Sequence, residues 1–310
     1  MGKSSVVRAL AKAGNLKLID HRLSTSDPTD FSGLPGFENG SAKFMNFDEL
    51  FPTEDMEIPK GYAGWLLFLD EFASASRSTM AAAYKTILDK MVGQKRLHKD
   101  VYIVMASNKS TDNAIVNPIG TAMQSRVITL DLELDFDIWM EDVAIKQGYH
   151  PMIRAFLASN KSKLMDFRPD HTEKTFCCPR TWEFMNEQIK ATNGPVDFMT
   201  PAYTGTISSG VATEFVQFCK VFDQLIPLHD VVTNPHQCRI PMDSASQWAM
   251  VCQLSDAANA DIFEALAIYT SRFSLDFRIL FFRTVMLRLP ELRYTPAFQK
   301  ACMDVAQYLK

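Results

Sequence analysis

The sequence predicts an α/β core followed by an all-α remainder. Short, mostly apolar runs recur up to about residue 132, at Leu16–Ile19, Trp65–Leu69, Val101–Ala106 and Val127–Leu130. Runs that are apolar on both faces suit parallel strands buried between helices. Helical stretches separate these runs, and from about Phe136 onward almost every segment has helical periodicity. The expected organisation is an α/β domain over residues 1–132, a smaller helical domain over 133–195 and a helical C-terminal extension over 196–310.

Punctuation residues set the individual elements. A helix over Ser5–Lys12 stops at Gly14. Ser78 is placed to cap a helix running to about Met91, before Gly93. Residues Gly33–Gly61, with their Pro, Gly, Asn and acidic content, form an excursion above the sheet. Later helices are expected over Ile138–Gln147, Met152–Ala158, Arg180–Lys190, Ala212–Leu225, Ala258–Phe273 and Leu275–Arg288. The Gly-, Pro-, Thr- and Ser-rich stretch Asn193–Gly210 reads as a linker or long loop.

Composition narrows the function classes. The 310 residues are 47% apolar, enough for one large core or several smaller ones. With 32 basic and 36 acidic side chains the formal charge is −4, so no overall positive field draws the chain to nucleic acid or anionic lipid. No apolar run approaches the roughly 20 residues of a membrane span. The start carries no signal-peptide apolar region, and Val6 stands where a myristoylation signal needs Ser or Thr. These features predict a cytoplasmic protein without a membrane partner. The six cysteines include no C-x-x-C pair and are expected to be reduced; His236 and Cys238 have no second pair nearby to complete a metal site.

Five short motifs carry chemistry. Gly2-Lys3-Ser4-Ser5 runs straight into a helix, like the second half of a P-loop: backbone amides hold phosphate, Lys3 reaches the β and γ phosphates, and the Ser4 hydroxyl binds Mg²⁺. Trp65–Leu69 then Asp70-Glu71 is an apolar strand ending in an acid pair. Asp70 is expected to hold Mg²⁺ and Glu71 to polarise the water that attacks ATP. Asn108 follows the next apolar run, Arg126 ends a short helical stretch, and Arg180 follows Pro179 in the first turn of a helix. Each has a plainer reading: a capped helix start, a strand-end acid pair, a turn asparagine, two surface arginines. Their order and spacing along an α/β layout favour the nucleotide site.

That order resembles the AAA+ ATPases. The stretch Asp20–Pro35, with Arg22, Leu23, Ser24, Asp27, Pro28, Asp30 and Gly33, is similar to a bacterial and phage subgroup of the MoxR-like family. Ala82–Lys90 with Gly93, and Pro179–Phe184, resemble it too. The likeness covers about residues 2–190 well and the last third loosely. It implies a P-loop core with a helical lid, and hexameric rings with ATP and Mg²⁺ at subunit interfaces. Asn108 would sense the γ-phosphate, Arg126 would act on the neighbouring subunit's site, and Arg180 would couple the lid to the nucleotide. A protein client is implied, with a von Willebrand factor A domain protein as the partner that the resemblance suggests. Within Gly36–Phe51, Phe44 and Phe47 are expected to pack the excursion against the sheet; the alternative is that they grip substrate. The P-loop's first glycine and its preceding strand would stand before residue 1, so the sequence is expected to be part of a longer protein. Two other readings are an AAA+ motor or loader on nucleic acid, and a non-catalytic subunit with the ATPase fold.

Overall fold

The computed structural model describes residues 2–47, 50–109, 117–194, 197–222 and 225–309. They divide into two compact units, one of residues 2–132 with 168–170, the other of 133–167 and 171–309. No helix among the described residues is long and apolar enough to cross a membrane, and all six cysteines are free thiols.

The first unit is α/β. Helix α1 (Lys3–Ala13) leads to β1 (Leu16–Arg22); a 3₁₀ turn and α2 (Pro28–Ser32) follow. Strands β2 (Leu34–Glu38) and β3 (Ser41–Met45) form an antiparallel hairpin. After them come β4 (Gly64–Asp70), α3 (Arg77–Asp89), the short pair β5 (Met91–Val92) and β6 (Lys95–Arg96), β7 (Val101–Met105) and α4 (Thr121–Gln124). The main sheet has three parallel strands in the order β1-β4-β7.

β4 lies at the centre because it is apolar on both faces, and Gly64–Leu69 is wholly buried. Its alternation feeds two cores. Leu66 and Phe68 pack with Val7 and Ala11 of α1. Trp65, Leu67 and Leu69 pack with Phe72, Met80 and Ala83 on the α3 side. The α3 cap is Ser76 rather than the expected Ser78: its hydroxyl accepts from the Thr79 amide at 3.1 Å, and Ser78 lies inside the first turn.

The excursion contains the β2–β3 hairpin. Gly33 (φ 81°) fastens it, because a Cβ there would lie 2.7 Å from the Met45 carbonyl oxygen. Phe44 and Phe47 do not pack down against the sheet as expected; they are 51% and 42% exposed, and Phe37 is 86% exposed. Residues 48 and 49 of the excursion lie outside the described residues.

Val127–Leu130, expected as a strand, is not one: Val127 is half-buried, while Ile128 and Leu130 are 90% and 80% exposed. Alternating apolar residues favour an extended chain, but a strand exists only where a neighbour supplies hydrogen bonds. No described strand pairs with this segment. β7 likewise pairs on one side only, with β4, and its Tyr102 is 58% exposed.

The second unit is all helical. It opens with α5 (Phe136–Trp139), which passes into a π-helical turn, Met140–Ile145, in place of the expected uniform helix. Then come α6 (Pro151–Ser159), α7 (Pro179–Ala191), α8 (Thr200–Ile207), α9 (Ser209–Phe222), α10 (Leu228–Thr233), α11 (Ser244–Ala257), α12 (Phe263–Thr270), α13 (Leu275–Arg288) and α14 (Pro296–Ala301). The expected linker 193–210 therefore holds a helix, apart from residues 195 and 196, which lie outside the described residues. Pro201 suits a helix start, and fully buried Tyr203 and Ile207 anchor α8 inward. The expected α9 end at Leu225 runs through residues 223 and 224, also outside the described residues.

A charged network ties α6, α11 and α13. Arg154, 3% exposed, makes a short hydrogen bond to Asp256, and its Nε donates to the Tyr149 carbonyl at 3.0 Å. Arg288 reaches the other Asp256 oxygen at 3.3 Å and donates to the Ser255 carbonyl at 2.6 Å.

Two histidines make stability depend on pH. His21 is buried between Phe31 and Phe51. His150 Nδ1 accepts from the Met152 amide at 3.3 Å and so caps α6 as the neutral ring. Burial lowers both pKa values below 6.5. The unfolded chain then binds more protons than the folded one once pH falls below that value, so each shift costs stability on acidification. Urea unfolding followed from about pH 7.5 to about pH 5.5 should show a falling midpoint, and His150→Asn should flatten part of that slope.

Candidate nucleotide site at the sheet edge

Parallel pairing aligns the C-terminal ends of the three strands. Arg22 pairs in register with Asp70, and Leu69 with Met105. The Ala106 amide donates to the Leu69 carbonyl at 3.0 Å, and Ala106 in turn accepts from the Phe72 amide at 3.0 Å. Arg22, the acid pair and Ser107-Asn108 thus leave the sheet along one edge, where open α/β sheets bind their ligands.

α1 brings its N-terminus to the same edge, held by Val7 and Ala11 on the sheet. Gly2 stands at its cap position with φ 80° and ψ 0°, a left-handed conformation that favours glycine, and no side chain caps the helix. The first helical bond is Val6 N–H to the Gly2 carbonyl, 3.0 Å. The Lys3, Ser4 and Ser5 amides therefore have no acceptor within the helix, and no acid stands in the first turn. Free amides, the positive helix end and Lys3 together favour an anion.

Sequence-distant residues meet here. Lys3 Nζ donates to Asn108 Oδ1 and to the Ser107 carbonyl, both at 2.7 Å. Ser4 Oγ donates to Asp70 Oδ2 at 3.0 Å, across 66 residues of sequence. The other Asp70 oxygen accepts from the Glu71 amide at 2.9 Å. Glu71 itself is left-handed, with φ 55° and ψ 35°. Such a conformation is costly for a residue with a side chain and concentrates at functional positions. Ser5 is exposed on the outer side of the turn.

Two residues join the site that the motifs did not indicate. Ser24 makes a short hydrogen bond to Glu71 Oε2, and Arg22 Nε lies 3.8 Å from Glu71 Oε1. The expected first strand ended at Ile19; the observed one runs to Arg22, which carries these side chains to the same edge. Extending the strand through Asp20-His21-Arg22 would have found them.

The donor set fits Mg²⁺: the Ser4 hydroxyl and Asp70 carboxylate are hard oxygen ligands already in contact, and this ion needs few protein ligands when phosphate supplies the rest. The uncapped helix start beside Lys3 suits a phosphate group.

Arg126 belongs to the same unit. It follows α4, is exposed, and donates from Nη1 to the Ala122 carbonyl at 3.2 Å, with no ion pair among the described residues. Arg180 belongs to the helical unit, exposed in the first turn of α7 after Pro179. Comparison of the chain with protein-family models, curated proteins and solved structures gives no match. The first unit is a three-stranded parallel α/β unit with a helix N-terminus, a lysine and an acid pair at one sheet edge.

Proposed function

We propose that this chain is an ATPase subunit of the MoxR-like AAA+ kind, which couples ATP hydrolysis in an oligomeric ring to remodelling of a partner protein. One observation carries the reading. Lys3 and Ser4, on consecutive positions of one helix turn, reach the tips of two different strands, at Asn108 and Asp70. An ordinary capped helix start has no use for that convergence.

In this reading the Lys3, Ser4 and Ser5 amides bind phosphate oxygens, and Lys3 neutralises their charge. Ser4 and Asp70 would hold Mg²⁺, which would neutralise phosphate charge. Glu71 accepts a proton from the attacking water, and Asn108 orients that water against the γ-phosphate. Ser24 and Arg22 hold the Glu71 carboxylate, which makes them positioning residues. Arg126 is supported as a group acting on a neighbouring subunit by its exposure and lack of an ion pair. Arg180, on the helical unit, couples that unit to the state of the nucleotide. A hexamer, a protein client and a von Willebrand factor A domain partner extend the same proposal.

Removing the lysine tests the binding half. Lys3→Ala should weaken MgATP binding to the full chain by about 2 kcal/mol or more, the scale of a charge-assisted contact, in calorimetric titration. Equal affinity in the variant would remove Lys3 from the site.

A further inference from the structure

The helical unit contains a cavity of about 470 Å³ lined by α5, the π-helical turn, α6 and the 3₁₀ turn after it, α11, α13 and the C-terminal turn at Tyr308. Its volume lies in the range of small-molecule sites. Met140, Ile145 and Leu280 give it an apolar interior, and Phe136 and Trp248 give it aromatic walls. The π-helical turn Met140–Ile145 contributes three of the lining residues, Met140, Glu141 and Ile145. π turns are rare and recur at functional positions, because the inserted residue costs helix stability and re-aims side chains.

Among the charged lining residues, one sign remains once ion pairs are cancelled. Lys161 is held by Asp137 at 2.9 Å and lies 4.9 Å above the Phe136 ring. Arg283 is spent on Glu141 at 3.0 Å and on the Tyr308 carbonyl through both Nε and Nη2. Asp276, in the first turn of α13, also lines the cavity and has no cation within ion-pairing distance among the described residues. The balance of side-chain charge is one carboxylate, exposed in the first turn of α13, beside an aromatic and aliphatic pocket. An indole face and a carboxylate both attract a cation, and the interior accepts an apolar body.

We propose that this cavity binds an amphipathic organic cation, a primary amine carried on an apolar chain or ring. The ligand body enters between Phe136, Trp248 and Leu280, and its ammonium meets Asp276. This proposal is independent of the nucleotide reading.

Phenylbutylamine, phenylbutanol and phenylbutyrate share one apolar body and differ in charge. Each is titrated into the full-length protein and followed by calorimetry. The amine should bind saturably, and the carboxylate at least about threefold to tenfold more weakly, as expected for one carboxylate and one aromatic face. Asp276→Asn should reduce the amine's affinity by a similar factor and leave the alcohol unchanged. Trp248→Phe, which keeps an aromatic wall, controls for folding and should retain saturable binding. Equal affinity for all three probes, an amine unaffected by Asp276→Asn, or no saturable binding by the wild type would each overturn the proposal.

Discussion

Replacing Glu71 by Gln should lower ATP turnover by about 10²- to 10⁴-fold, the usual contribution of a positioned general base, while ATP binding stays within about twofold. The side chain keeps its size and its hydrogen bond from Ser24, so the sheet edge is undisturbed. What is lost is the basic oxygen. In the proposed site, phosphate binding falls to the α1 amides and Lys3, and the metal to Ser4 and Asp70, whose hydroxyl and carboxylate are in contact. Turnover and binding must therefore separate in this variant. If binding collapses together with turnover, Glu71 is holding the fold of the edge rather than activating water. A variant as active as the wild type would remove Glu71 from the chemistry altogether.

The second large effect concerns stability. Asp256→Ala should destabilise the helical unit by about 3 kcal/mol, near the lower end of the range for breaking a buried pair. Asp256 itself is about a quarter exposed, but the guanidinium it balances is not: Arg154 is 3% exposed. Removing the carboxylate leaves that charge with one carbonyl partner, Tyr149. Neighbouring Cys252 offers no replacement, because burial pushes its thiol up to about 12 and it stays neutral. Urea unfolding of the full chain measures the loss. Combining Asp256→Ala with Arg154→Met should recover part of it, since an apolar chain of similar length needs no counter-ion.

How far the sequence revealed this arrangement depended on whether a signal was local. β4 was legible because Gly64–Leu69 must be apolar on both faces to sit between two cores. α1 was legible from its spacing and from Gly14 at its end. Lys3, Ser4, Asp70, Glu71 and Asn108 all leave the ends of such elements, so their convergence followed from placing the strands in parallel. Ser24 and Arg22 were missed because polar Asp20-His21-Arg22 does not look like strand, although pairing with Leu69 and Asp70 of β4 makes it one. Val127–Leu130 failed for the opposite reason: its pattern is strand-like, but pairing is a non-local property. α8 was hidden by small and polar residues in a segment whose helix depends on burying Tyr203 and Ile207. The π-helical turn had no sequence signal at all.

The decisive measurement is phosphate release from ATP by the purified full-length protein, with magnesium present and with magnesium chelated. An ATPase of the proposed kind releases phosphate steadily only with magnesium, and the rate rises more than linearly with protein concentration if Arg126 serves a neighbouring subunit. Release at the buffer rate under both conditions, with no detectable binding of MgATP, would contradict the proposed activity.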